Sequence, residues 1–156
     1  MRIAVGSDER THVTDAVVED LRRRGHRVET LGPLLDLPAG QVGEPLQWAD
    51  VAREAAERVA AGGADQGVLF CWTGTGVSIA ANKVSGVRAA LCWDAETARG
   101  ARLWNDANVL CLSLRSTSET VAREILEAWL STEAPDPSEA ENIEKVRALD
   151  GERARR

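Results

Sequence analysis

Apolar positions along the chain recur in two alternating rhythms. RIAVGS (2–7), HRVETL (26–31), GVLFC (67–71), GVRAALCW (86–93) and NVLCLSL (108–114) are short β-rich runs. GVLFC and GVRAALCW are apolar without alternation, the pattern of strands covered on both faces. Helical spacing fills the intervals. Residues 12–24 place Val13, Val17 and Leu21 four apart with Ala16 beside them, and Gly25 ends the pattern. Residues 46–61 are Ala-rich up to Gly62-Gly63, and 76–83 and 94–104 also read as helical. Residues 117–131 put Val121, Ile125 and Trp129 on one stripe before Pro135 and Pro137. GPLLDLPAGQVGEP (32–45) carries three prolines and three glycines and reads as a loop, whereas EAENIEKVRAL (139–149) reads as a charged final helix.

Strand and helix alternating five times predict an α/β fold, a three-layer α/β/α Rossmann-like (flavodoxin-like) sandwich around a five-stranded parallel sheet. One domain is expected over 1–156, with 132–156 as a C-terminal extension whose helix crosses to a partner subunit. Ligands of such sheets bind beyond the carboxyl ends of the strands, where strand order reverses. That rule selects Gly6–Arg10, Cys71–Gly76, Trp93–Asp94 and Ser113–Arg115.

Composition narrows the chemistry. The chain has 156 residues, 44% of them hydrophobic and 28% charged, with a net charge of −6 that gives no basis for bulk attraction to nucleic acid or an anionic membrane. No apolar stretch reaches the roughly 18–20 residues of a membrane span. Cys71, Cys92 and Cys111 form no CxxC pair and have no nearby histidine, which argues against zinc. Their odd number and the lack of a signal peptide lead us to expect reduced thiols in the cytoplasm.

The turn Cys71-Trp72-Thr73-Gly74-Thr75-Gly76 is the chief chemical candidate. Its alternate glycines permit a sharp turn with amides close to a ligand, and the helix that follows presents its positive end. Such a turn can hold a phosphate or meet negative charge developing on an oxygen. A helix N-terminus also favours a thiolate, the form needed to remove a carbon-bound proton. Equally, Cys71 can be a small apolar residue closing a strand. Neither GxGxxG nor GxxxxGK[ST] fits the βα turns. Asp8 can accept sugar hydroxyls, or Asp8 or Thr11 can cap the next helix. In RLWNDANV (102–109), Asn105 and Asp106 are turn residues or face a ligand, and Arg115 is a candidate anion contact.

With SIAANK (78–83) after CxTGxG, the chain resembles the ribose-5-phosphate isomerase B family, which includes galactose-6-phosphate isomerase subunits. The likeness runs through GSD, CxTGxGxSIAANKxxGxRAA (71–90), NDANVL (105–110) and EAWL (127–130). It implies an aldose–ketose isomerase working through an enediol without metal or organic cofactor, as a homodimer or homotetramer with sites between subunits. By the same resemblance Cys71 is the base and Thr73 stands beside the substrate. Gly74, Thr75, Gly76 and Ser78 form the enediolate's anion hole, Asp8 and Asn105 contact sugar hydroxyls, and Arg115 is one of several phosphate ligands.

Departures surround that motif. Glu9-Arg10-Thr11 stands where the family has histidine, a small residue and glycine. Trp72 replaces a glycine, Trp104 replaces the histidine that opens the sugar ring, and Glu44-Pro45-Leu46 replaces Asp-Tyr-Pro. The tail arginines fall near Ser138 and Asn142, among Glu139, Glu141 and Glu144. Loss of two guanidinium contacts weakens phosphate recognition. A substrate unable to cyclise, such as a four-carbon sugar phosphate, needs no ring-opening acid. A relocated phosphate contact at Arg10, or stacking of the ligand on Trp72 and Trp104, would also answer the changes. An isomerase, a sugar-binding protein that has lost catalysis and an epimerase using the same anion hole all remain open.

Overall fold

The computed structural model describes residues 1–35 and 46–153, with side chains through Asp150. The segment 36–45, most of the expected loop and including Glu44 and Pro45, lies outside the described residues, as does the end of the basic tail. The strands are β1 (Arg2–Ser7), β2 (Arg27–Leu31), β3 (Gln66–Cys71), β4 (Ala89–Leu91) and β5 (Val109–Ser113). The helices are α1 (His12–Arg23), α2 (Trp48–Ala60), α3 (Thr75–Ala81), α4 (Ala95–Asn105), α5 (Glu119–Ser131) and α6 (Ala140–Arg153), with 3-10 turns at Gly32–Leu34 and Pro137–Glu139.

All strand pairings are parallel and the order is β2-β1-β3-β5-β4. Alternate residues of the central strands feed two separate cores. Val68 and Phe70 of β3 and Leu110 and Leu112 of β5 pack with Val17, Leu21, Ile125 and Trp129 of α1 and α5. Leu69, Cys71, Val109 and Cys111 face Val51, Ala55, Ala56, Val77 and Ala81 of α2 and α3. The chain leaves β1 and β5 toward the first layer and β3 toward the second. Crevices therefore open at the carboxyl ends of β1, β3 and β5, as the switch-point rule requires.

One element differs from the sequence pattern. The run 86–93, expected to be a buried strand, yields only Ala89–Leu91, half-buried at the sheet edge, because β5 inserts between it and β3. The side chain of Asn82 takes over part of the missing ladder. Its Oδ1 accepts from the Ala89 amide at 2.9 Å and its Nδ2 donates to the Ala89 carbonyl at 2.8 Å. α6 rests on its own chain: Ile143 is buried, Arg147 pairs with Asp106 at 2.8 Å, and Asp150 accepts from the Gly86 amide at 2.8 Å.

Candidate active site

β3 delivers Cys71 to the crevice, and the backbone around it is tightly tied. The Cys71 carbonyl accepts from Gly74 N at 3.2 Å and Leu114 N at 3.0 Å, and the Trp72 carbonyl accepts from Arg115 N at 3.0 Å. Ser113 Oγ adds a second bond to the Trp72 carbonyl at 3.0 Å and accepts from Ser116 N. The chain thus continues the β3–β5 pairing past the last strand residue and then turns on Gly74, at φ 73 and ψ −15. Gly74 offers no side-chain cap, and the first amides of α3 have no acceptor within the helix. They follow Cys71 directly in the chain at the carboxyl end of β3, available to an anion.

Cys71 is 5% exposed and sits among Leu69, Val77 and Cys111. The other two thiols are unsuited to proton transfer. Burial, with Asp94 adding to it, pushes Cys92 up to about 12, and burial pushes Cys111 further still. Thr73 and Thr75 are exposed, whereas Gly76 and Ser78 are half-buried in the first turn of α3. The indole of Trp72 is 61% exposed, a large apolar ring held in solvent beside the thiol. Trp48, which the sequence does not single out, lays its ring on Gly76 so closely that a Cβ there would lie 2.9 Å from Cε3.

The β1 loop borders the same crevice, since Ser7 pairs with Phe70 in the register that precedes Cys71. Buried Ser7 shapes it, its Oγ donating to the Glu9 carbonyl at 2.6 Å and accepting from Glu9 N at 3.2 Å. Thr11, not Asp8, caps α1, through a reciprocal pair with Thr14. Asp8 is left half-buried, and desolvation, reinforced by Glu9 and opposed by a backbone hydrogen bond, raises its pKa. A folded pKa above the unfolded one means the ionised carboxylate costs stability. The contribution is fully present below the usual carboxylate value, near 4, and is lost as pH rises through the folded value. Asp8→Asn is accordingly expected to raise the melting temperature at pH 7, with the gain vanishing at pH 3; thermal melts at the two pH values check this.

The cations are divided. Arg10 is occupied by Asp15 on α1 at 2.9 Å. Arg115 is exposed at the Cys71 turn, and its guanidinium makes no hydrogen bond or ion pair with the described residues. Trp104 and Asn105 are not brought to Cys71 within one chain. α4 starts beyond the carboxyl end of β4 and runs about 16 Å back toward the start of β5, leaving them at the opposite edge of the sheet. There they line a cavity of about 370 Å³ with Arg88, Asn142, Val146 and Arg147, between α6 and the β4 edge. Trp104 is seated on Gly100, whose missing Cβ would meet the ring at 2.7 Å. Asp106 is a turn residue in the left-handed conformation, φ 49, with its carboxylate accepting from Arg88 and Arg147.

Ser7, Ser113 and Trp48 escaped the sequence reading as individual site residues. The available signal was a serine closing each of two strands that border the crevice. No helix among the described residues is long and apolar enough to cross a membrane.

A family model described as Ribose/Galactose Isomerase matches residues 3–146. D-erythrulose-4-phosphate isomerase 2 of Mycolicibacterium smegmatis is 36% identical over 85% of this chain and 88% of its own. D-erythrulose-4-phosphate isomerase of Pectobacterium atrosepticum is 34% identical over 94% and 93%. The structure of ribose-5-phosphate isomerase B from Clostridium thermocellum superposes with a TM-score of 0.86 at 33% identity, covering 97% of this chain and 99% of that one. The five-stranded parallel fold, the cysteine-glycine turn at its carboxyl edge and these matches together establish that the chain belongs to the ribose/galactose isomerase family of sugar-phosphate isomerases.

Proposed function

We propose that this protein interconverts the aldose and ketose forms of a four-carbon sugar phosphate through an enediol, with Cys71 as the base. What carries the reading is a thiol at the end of β3, directly before a glycine turn that leads into α3, whose first amides have no acceptor within the helix. The Cys71 thiolate takes the proton from the carbon beside the carbonyl. The electron pair moves onto oxygen, where the first α3 amides, those of Thr75 and Gly76, meet the charge while the Gly74 amide stays with the Cys71 carbonyl. A proton passes from the adjacent hydroxyl to that oxygen, and the thiol returns its proton to the neighbouring carbon. Asp8 accepts from a substrate hydroxyl, and Arg115, free at the turn, meets the phosphate.

Two observations support four carbons over five. Trp104 offers only an indole N–H, far too weak an acid to protonate a ring oxygen, and a four-carbon chain phosphorylated on its terminal oxygen closes no stable ring. Two relatives are named as D-erythrulose-4-phosphate isomerases. A second copy of the chain completes the site in a homodimer or homotetramer. Its Trp104 and Asn105 approach from across the interface and cover the exposed Trp72. Reduced thiols suit the cytoplasm.

The test is turnover in deuterated water followed by NMR. D-erythrulose 4-phosphate is expected to be converted to the aldose with solvent deuterium at the shuttled position. Its kcat/KM is expected to exceed that of D-ribose 5-phosphate by ~10²-fold or more, the contribution of the missing ring-opening acid. Equal turnover of the two, binding without turnover, or an epimer as product would overturn the reading.

A further inference from the structure

The end of α4 encloses a cation that the chemistry above leaves unused. Arg102 is only 9% exposed. Its Nη1 donates to the Ala107 carbonyl at 2.6 Å and its Nη2 to the Thr132 carbonyl at 3.3 Å. The guanidinium carbon lies 5.6 Å from the ring centroid of Trp129, whose Nε1 donates to Gln66 Oε1 at 2.8 Å. Arg102 Nε is buried and has no partner among the described residues. Among the described residues no carboxylate bonds to this guanidinium; Asp106 pairs with Arg88 and Arg147 instead. Burial lowers its pKa, with Asp106 opposing from a distance.

A guanidinium buried with a donor unpaired is a poor way to hold two helices together; an apolar side chain of similar volume would cost less. What it provides instead is direction. The Ala107 and Thr132 carbonyls lie just past the last residues of α4 and α5, where helix dipoles favour a positive charge and where carbonyls lack helical partners. One planar fork therefore joins the two helix ends and fixes the turn between α4 and β5. Arg88 and Arg147 hold the same turn from outside through Asp106.

We infer that Arg102 is a positioning residue for Trp104 and Asn105, its two carbonyl bonds holding the turn 104–107 against the end of α5. The inference rests on the reading above that these two side chains face the substrate. Ordinary packing by Arg102 would affect stability alone; positioning also affects the turn and the kinetics.

The experiment compares Arg102→Met and Arg102→Lys with Ile125→Val, which removes one methyl group from the buried core and leaves both carbonyl bonds of Arg102 in place. Amide hydrogen exchange is read at Ala107 and Asn108, which donate to the Ala101 and Arg88 carbonyls, and at Val68 and Leu69 in β3. In Arg102→Met, exchange at 107 and 108 is expected to rise at least ~10-fold beyond the change in β3, and kcat/KM for D-erythrulose 4-phosphate to fall ~10–100-fold, the scale of an ångström of misplacement. Arg102→Lys, able to reach one carbonyl but not both, is expected to fall between and keeps the test available if the methionine variant does not fold. Ile125→Val is expected to melt lower with both quantities near wild type. Exchange that rises uniformly, or kcat/KM in both Arg102 variants no lower than in Ile125→Val, overturns the inference. If wild type does not turn the substrate over, the function proposed above fails, and the exchange measurement alone still decides whether Arg102 holds the turn.

Discussion

Replacing Cys71 with alanine is expected to lower turnover by ~10²–10⁴-fold, the range for loss of a positioned base, while leaving the protein folded. The side chain lost is small, and both hydrogen bonds to the Cys71 carbonyl are made by the backbone and survive it. Removing one buried sulfur costs about 1 kcal/mol by analogy with other small core truncations, a shift of about 2–4 °C in the melting temperature of a chain this size. Neither remaining thiol can substitute. Cys111 has no exposure and faces the interior of the α2–α3 layer, and Cys92 is held protonated by its burial near Asp94. Cys71→Ser is expected to be as inactive as alanine, since an alcohol is a far weaker acid than a thiol and supplies no comparable base. The decisive measurement is solvent deuterium appearing at the substrate carbon beside the carbonyl. Exchange in Cys71→Ala within tenfold of wild type would assign proton transfer to another group.

The fold and the Cys71 turn of the candidate site are legible in the sequence for a local reason. Strand and helix periods, the glycines that stop α1 and α2, and the β3 cysteine followed by alternate glycines all depend on residues near in sequence. The remainder depends on residues far apart. The run 86–93 is as apolar as a central strand, and only the pairing of β5 with β3 puts it at the edge and shortens it. Trp104 and Asn105 read as ligand contacts by motif, yet the direction of α4 carries them to the far side of the sheet, which no local pattern encodes. Arg10 and Arg115 are both candidate phosphate contacts in the sequence; Arg10 is bound to Asp15 on α1, while Arg115 is the one of the two without a side-chain partner among the described residues. Arg102 looks like any helix arginine until Ala107 and Thr132 close over it.

The largest stability effect falls on Gly74→Ala. This residue starts α3 in the left-handed conformation, where a Cβ costs about 1–2 kcal/mol. The added carbon would also lie 2.5 Å from Leu91 Cδ1 and 3.0 Å from the carbonyl carbon and oxygen of Leu112. Leu91 is a side chain at the edge and can swing aside. The Leu112 contact is backbone of β5, paired with Phe70 of β3 in a strand that lies between β3 and β4, and cannot. Overpacking of this kind adds about 1–3 kcal/mol, giving a total of about 2–5 kcal/mol and a melting temperature lower by roughly 5–20 °C. Gly25→Ala separates the two contributions, because Gly25 has a similar φ of 82 but nothing within 4 Å of its Cβ position. It should show the conformational cost alone. If Gly74→Ala melts no lower than Gly25→Ala, the turn has room that this geometry denies it. If it melts much lower, turnover should also be lost in the fraction that stays folded at low temperature. The only relief from Leu112 is to move the turn outward, and that takes the α3 amides away from the chemistry proposed at Cys71.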